Sequence, residues 1–370
     1  MASALADSGK LEAAGGQGGL ARLVDSVTSS ANVDLFAELI YTKWLRRRLI
    51  TLGSEISQLA WEEGSNQELL TRAHEILGGL SGCLSGNWKD LAAMALEFAD
   101  DLQQILEGTK PAGIPTGLID LDRRSPLEEK TLTIIAGRPG MGKSAIAANI
   151  AINMALDGRG VVFVSLEMSA KQIMRRWLSA HSGIEQQKIK SGSLSTQEQS
   201  QIEGLMLAWV KATPNLHFLE PGQVSSASDL YSKILAKLPE VEAAPGCIIV
   251  DHLHLLGDGT EQVGASSAMV QTLSRKTTVP VIALCQLSRG PEGQNDKRPS
   301  MAHLRYSGRL EQDADNVWLL YRDEYYNPET RDRNIIEINA AKVREGSPGV
   351  SKLLFEPQFS RVRNLAGGLR

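Results

Sequence analysis

Cysteine is scarce in this 370-residue chain: Cys83, Cys247 and Cys285 stand far apart and form no C-x-x-C pair. That scarcity excludes a disulfide framework and a thiolate metal knuckle, and it points to free thiols in a reducing compartment. Long apolar stretches are missing too. No run of 18 apolar residues occurs, and the N-terminus MASALADSGK lacks the apolar core of a leader, so neither membrane insertion nor secretion is expected. Charge of one sign is not in excess either, the net value being −4 with 22% charged residues. A polybasic tail is thereby excluded, and any contact with nucleic acid must come from a local basic surface, assembled by several subunits if need be. Apart from the N-terminal AAGGQGG, no low-complexity tract or internal repeat is visible.

What is present centres on residues 131–149, TLTIIAGRPGMGKSAIAAN. An apolar, β-branched run, Leu132 to Ala136, reads as a buried strand. It meets Gly137, Arg138, Pro139, Gly140, Met141, Gly142, Lys143 and Ser144, then continues as the helix-forming AIAANIAINMAL. Strand, glycine loop and helix together turn a G-x-x-x-x-G-K-[ST] match into a mechanism. Glycines let backbone amides curl around phosphate oxygens, and the helix N-terminus adds partial positive charge. In such a loop Lys143 reaches the β- and γ-phosphates and the Ser144 hydroxyl sits on Mg²⁺. The segment is an NTP-binding loop.

On either side the organisation differs. Residues 33–61 carry a long helical pattern, interrupted by Arg46, Arg47 and Arg48, which read as a solvated face. Ser65-Asn-Gln-Glu68 reads as a capping box opening a second helix that ends near Gly78-Gly79, so the two form an antiparallel hairpin. Its apolar stripe is too long for so small a unit to bury alone, which suggests a partner subunit. We expect a small all-α domain over residues 1–82, a linker with its own amphipathic helix over 83–112, and an α/β domain over 113–370. In the last, strands are expected at 132–137, 161–166, 216–219, 246–251 and 279–285, with helices between. DNVWLLYR, IIEINAAKV and VSKLLFEP then add late strands. Alternation followed by consecutive strands implies an α/β P-loop NTPase core, a mostly parallel sheet with an antiparallel extension.

Hydrolysis of a phosphoanhydride needs a metal carboxylate, a group that orients water, and cations for the transition state. The strand CIIV ends in Asp251, at the kind of edge where α/β ligands bind. The strand VVFVSL ends in Glu167, just before Ser169 caps a helix with Gln172. Glu167 is either a general base or a favourable charge near a helix N-terminus, and the residues alone do not separate the two. Gln286 ends the strand VPVIAL, where an amide could sense a γ-phosphate. His252 and His254 lack a third ligand at sensible spacing, so no zinc site is expected. Trp318, Tyr325 and Tyr326 read as packing rather than base-stacking residues.

Taken together, GIPTG, GRPGMGKSA, VSLEMS, IIVDHLHLL, VIALCQLSRG, DKRPSMAHLRYSG, LEQDADNVWLLYRDEYYNP and AAKVREGSPG resemble, in order and spacing, a DnaB-type replicative DNA helicase. The resemblance is close over about 113–363 and looser over 10–112. It implies a RecA-like fold, ATP and Mg²⁺ as cofactors, Glu167 as hydrolytic base, Asp251 as the metal carboxylate and Gln286 as the coupling glutamine. Lys342 and Arg344 match the cations that reach a neighbouring subunit's ATP. Arg305 and Gly308 fall in the loop that holds single-stranded DNA, with Tyr306 and Arg309 beside them. The implied assembly is a homo-hexamer moving 5′ to 3′ on single-stranded DNA, with a linker helix docked on the next subunit. A primase and a helicase loader are the implied partners, and the cytoplasm is the place (a bacterial nucleoid or organelle equivalent).

Three departures stand out. The family's N-terminal head is expected ahead of residue 10, which leaves a truncated N-terminal domain. His254 stands where glutamine is frequent, and the DNA loop reads LRYSGR instead of LRESGS, so Tyr306 and Arg309 make it less acidic. These departures leave a second reading: a DnaB-like paralogue acting as an ATP-gated DNA-binding or scaffold protein without unwinding.

Overall fold

The computed structural model describes residues 33–62, 69, 72, 73, 90–108, 113–241, 243–256, 260–288, 290, 296–304 and 307–365. Two compact units divide the chain, Met1–Leu96 and Glu97–Arg370. In the first, helix α1 spans Val33–Leu59 and buries Leu52 and Leu59. Arg46 and Arg47 are exposed, and Arg48 lies 3.9 Å from Glu55, so the basic triplet is a surface feature. The second helix of the expected hairpin lies almost wholly outside the described residues. The amphipathic helix expected in the linker is α2, Leu91–Leu106, and the boundary between the units falls within it.

Among the described residues, the second unit is built on one nine-stranded sheet. Its strands are β1 (Leu132–Gly137), β2 (Arg159–Ser165), β3 (Leu216–Leu219), β4 (Ala244–Asp251), β5 (Val281–Gln286), β6 (Asn316–Tyr321), β7 (Ile335–Lys342), β8 (Gly349–Glu356) and β9 (Arg361–Arg363). Their spatial order is β3-β2-β4-β5-β1-β6-β7-β8-β9. The first six pair in parallel, and β6 to β9 pair antiparallel. This is the parallel core with antiparallel extension that the residue pattern implied.

The parallel strands are apolar throughout because both faces are covered, with side chains alternating between them. Val161, Phe163, Cys247 and Ile249 pack on one side, against helix α4 (Lys143–Leu156). Val162, Val164, Ile248 and Val250 pack on the other, with Leu230 and Ile234 of α8 (Ala227–Lys237) and Val270 and Leu273 of α9 (Thr260–Thr277). Burial pushes the Cys247 and Cys285 thiols upward, Cys285 to about 12, so both are inert, unpaired thiols.

The bounds of β2, β4 and β5 differ from the expectation by one or two residues, and β9 is a strand the residue pattern did not indicate. β5 begins at Val281 and not at residue 279, because Pro280 has no N–H to donate to the ladder. β9 is too short to show periodicity and is set by tertiary pairing, Phe355 with Val362. Asn149 of α4 holds it in place. Its amide donates to Ala145 O (2.7 Å) and Ser360 O (2.8 Å), and its carbonyl accepts from Val362 N (3.2 Å). Asn149→Ala strands two buried backbone groups and is expected to cost about 1–3 kcal/mol. A urea midpoint lowered at constant slope shows it, and an unchanged midpoint speaks against the tether.

Candidate active site

The phosphate loop joins β1 to α4. Its chain path requires glycine twice: Gly140 has φ 80° and Gly142 has φ 100°. A Cβ at Gly140 would meet the Tyr325 ring at 3.3 Å, and one at Gly142 would meet Phe355 at 3.3 Å and Ile336 at 3.4 Å. The helix's first internal bond runs from Ile146 N to Gly142 O (2.9 Å). Helix geometry therefore leaves the amides of Lys143, Ser144 and Ala145 to serve an anion.

Around this loop lies a cleft of about 560 Å³, lined among others by Gly142, Lys143, Ser144, Glu167, Asp251 and Gln286. Sheet register explains the gathering. Gly137 lies opposite Gln286, and Ser165 lies opposite Asp251, so the ends of β1, β5, β2 and β4 meet at one edge. Lys143 Nζ donates to Gly137 O (2.9 Å) and Arg138 O (3.3 Å). Burial lowers its pKa, while Asp251 and Glu167 pull it back toward the charged form. Burial raises the pKa of Asp251, a bond from the Ser144 hydroxyl acts against that, and Asp251 Oδ2 is buried without a hydrogen-bond partner. An orphaned carboxylate oxygen and a hydroxyl beside a phosphate cradle fit a hard divalent cation, whose remaining ligands would be phosphate and water.

Glu167 sits beyond the end of β2 and lines the cleft, where its charge acts on both Lys143 and Asp251. The capping of the next helix, α5 (Ala170–Ser182), is done instead by Ser169 and Gln172, with Ser169 N donating to Gln172 Oε1 (2.8 Å). Arg138 and Met141 contribute backbone rather than side chains. Arg138 Nη1 donates to Leu287 O (3.2 Å), and Met141 is buried in the core.

Sequence reasoning missed four residues. Arg176 of α5 lines the cleft, and its charge interacts with Asp251 and Glu167. The signal was present: Ile173 and Trp177 define the buried face of α5, and Arg176 flanks it. Phe355 and Ser360 reach the cleft from β8 and the turn before β9, with no local signal at all. Arg322 fastens the loop by donating to Gly140 O (3.2 Å) while stacking on Phe355 (4.7 Å). Trp318 is wholly buried with its indole N–H on Ser125 Oγ (2.8 Å), a packing residue as expected.

The matched cations lie elsewhere. Lys342 ends β7 and Arg344 follows it, on the edge where β1 and β6 begin, opposite the phosphate loop. Arg344 Nη1 donates to Asp315 Oδ1 (2.5 Å), and Asp315 Oδ2 accepts from Leu132 N (2.9 Å). Lys342 Nζ donates to Glu311 O (2.7 Å) and Ala314 O (2.6 Å). Those carbonyls end helix α10, Ser307–Asp313, in which Gly308 and Arg309 are exposed and Arg309 Nε lies 3.6 Å from Asp313. Arg305 and Tyr306 lie outside the described residues.

Residues 113–364 match the model of the DnaB-like helicase C terminal domain. The chain belongs to the DnaB-like helicase family. The replicative DNA helicase DnaB of Geobacillus stearothermophilus is 36% identical over 378 residues, covering 98% of this chain and 81% of that protein. The replicative DNA helicase DnaC of Bacillus subtilis (strain 168) is 34% identical, covering 99% and 82%. A solved DnaB-like replicative helicase, described with its interactions with primase, superposes with a TM-score of 0.73 at 29% identity, covering 98% of this chain and 87% of that one. As a DnaB-like helicase, the protein uses ATP. Among the described residues, no helix is long and apolar enough to cross a membrane.

Proposed function

We propose that this DnaB-like helicase, an ATP-hydrolysing enzyme of DNA replication by family membership, works as a homo-hexameric ring. Its ATP would sit between subunits, and its course along single-stranded DNA would be 5′ to 3′. One observation carries the reading. β1 runs from Leu132, beside Arg344, to Gly137 at the phosphate loop, a rise of roughly 17 Å. Arg344 therefore cannot reach its own subunit's nucleotide, and any nucleotide it touches would belong to another copy. In that role Lys143 and the loop amides bind phosphates, and Ser144 and Asp251 hold Mg²⁺, which screens charge on the phosphate oxygens. Glu167 accepts a proton from the attacking water. Gln286, at the end of β5 next to the loop, is placed to report the γ-phosphate.

Leu91, Met94, Phe98, Leu102 and Ile105 are all exposed and recur at helical spacing along α2. Such a stripe suits docking on a neighbouring copy. Primase and loader contacts are proposed on family grounds. The scaffold alternative gains nothing from the cleft, where Glu167, Lys143 and Asp251 are brought together.

A forked duplex with a free 5′ arm tests the reading, with mass measured in the presence of an ATP analogue and single-stranded DNA. ATP-dependent strand displacement by a six-subunit species is expected. Bound ATP and DNA without displacement would leave the scaffold reading instead. DNA affinity should be salt-sensitive and indifferent to sequence, because backbone phosphates and loop amides carry it. Arg305→Ala should weaken it and reduce the single-strand salt slope by about 0.7 per lost contact. An unchanged slope would remove Arg305 from the DNA path.

A further inference from the structure

The two cations assigned to a neighbour's nucleotide are both held, within their own subunit, by the segment that follows the DNA loop. Lys342 Nζ bridges Glu311 O and Ala314 O, so two of its three ammonium protons are committed there. Gln271 supports the same end of α10 through Asp313 O. A cation on the last carbonyls of a helix offsets its negative pole and satisfies acceptors that the helix cannot. One residue further, Asp315 takes Arg344.

The ion pair is lopsided. Asp315 is fixed: its side chain is 4% exposed, its Oδ2 accepts from Leu132 N, and its own N–H donates to Leu132 O (2.8 Å). The Arg344 side chain is 62% exposed and bonds Asp315 through Nη1. The guanidinium can thus leave toward solvent or a neighbouring subunit while the carboxylate cannot follow. A phosphate that accepts two parallel N–H bonds competes well with one carboxylate oxygen. Lys342 and Arg344 are separated by Val343 alone, and both reach the same end of α10 and the residues just after it.

We propose that Asp315 and the carbonyl end of α10 form a cis dock for the Lys342–Arg344 pair, with Asp315 as the positioning residue that retains Arg344. This rests on the reading of Arg344 as a trans-acting cation. When the pair engages a neighbour's phosphate, α10 loses its cap. When DNA shifts the loop and α10, the pair is released. The two events are linked, and the linkage runs equally in both directions. It supplies a physical route by which DNA on one subunit accelerates hydrolysis at the next.

The test uses the full chain, with ATPase measured with and without single-stranded oligothymidine. Asp315→Asn keeps the side-chain shape and an acceptor for Leu132 N, and removes the charge that retains Arg344. The DNA-independent kcat is expected to rise severalfold at unchanged KM for ATP, and the stimulation by DNA to shrink toward one. Wild-type stimulation in this variant overturns the dock, as does an equal loss of kcat with and without DNA. Hydrogen exchange on the unmutated protein gives a second readout. Amides of residues 310–315 should exchange faster once a non-hydrolysable ATP analogue is bound to the assembled protein, and equal protection overturns the proposal. Arg344→Ala, run alongside, separates the two levels. Lost turnover there with unaltered stimulation in Asp315→Asn removes the dock and leaves the trans role. Unaltered turnover in Arg344→Ala removes the trans role itself.

Discussion

Arg344→Ala is expected to lower the ATPase rate of the assembled protein by about 10³–10⁵, with ATP still bound. A planar guanidinium delivers two directed donors to the phosphate oxygens as charge builds on them, which a flexible ammonium does not match. The residue lies at the far end of β1 from its own phosphate loop, next to Leu132 and Asp315. The loss must therefore be felt at another subunit's site. Mixing Arg344→Ala subunits into wild type should depress activity by more than dilution. Mixing Arg344→Ala with Lys143→Ala should restore part of it, because some interfaces then pair an intact loop with an intact arginine. A surface ion pair with Asp315 and no other role would contribute at most about 1 kcal/mol to stability and nothing to turnover. Proportional dilution, no rescue and a fully active pure mutant would establish that lesser role.

Glu167→Gln and Lys143→Ala should divide binding from chemistry. Glu167 lines the same cleft as the loop lysine, and its replacement by an isosteric amide removes only the proton acceptor. Turnover is expected to fall by about 10²–10⁴ with ATP affinity retained. Lys143→Ala removes a half-buried charge and its donors to phosphate. At about 1.5–3 kcal/mol, that is roughly 10- to 150-fold in Kd. Equilibrium binding of a fluorescent ATP analogue and steady-state turnover distinguish the two. Equal turnover in wild type and Glu167→Gln would reduce Glu167 to a charge near the start of α5.

Residues close in sequence made much of the site legible. The run Gly137 to Ser144 carries its own geometry, since glycines at positive φ and a helix start are local properties. Apolar runs ending in Asp251 and Gln286 were enough to place those side chains at strand ends, and burial on both faces explains why such runs become parallel strands. The motif order from Gly113 to Arg363 was by itself specific enough to indicate the family.

Other features depended on elements far apart in the chain. Arg176, Phe355 and Ser360 join the cleft only because α5 and the β8–β9 turn fold back over α4, with Asn149 tying the turn down across more than two hundred residues. Arg322 supports Gly140 O because β6 lies beside β1, an adjacency that no local pattern encodes. The partners of Lys342 and Arg344 were equally hidden. The K-x-R spacing marked two cations, and the pairing of β7 with β6 set them against the end of α10 and Asp315. Sequence by itself determined the chemistry carried on one strand, one turn or one helix start, because dihedral preference and side-chain alternation act over a few residues. Which of those pieces share a cleft, and which are held at opposite edges of the sheet, was decided by strand order and register. Those depend on burying both faces of the sheet at once, a condition that only the folded chain satisfies.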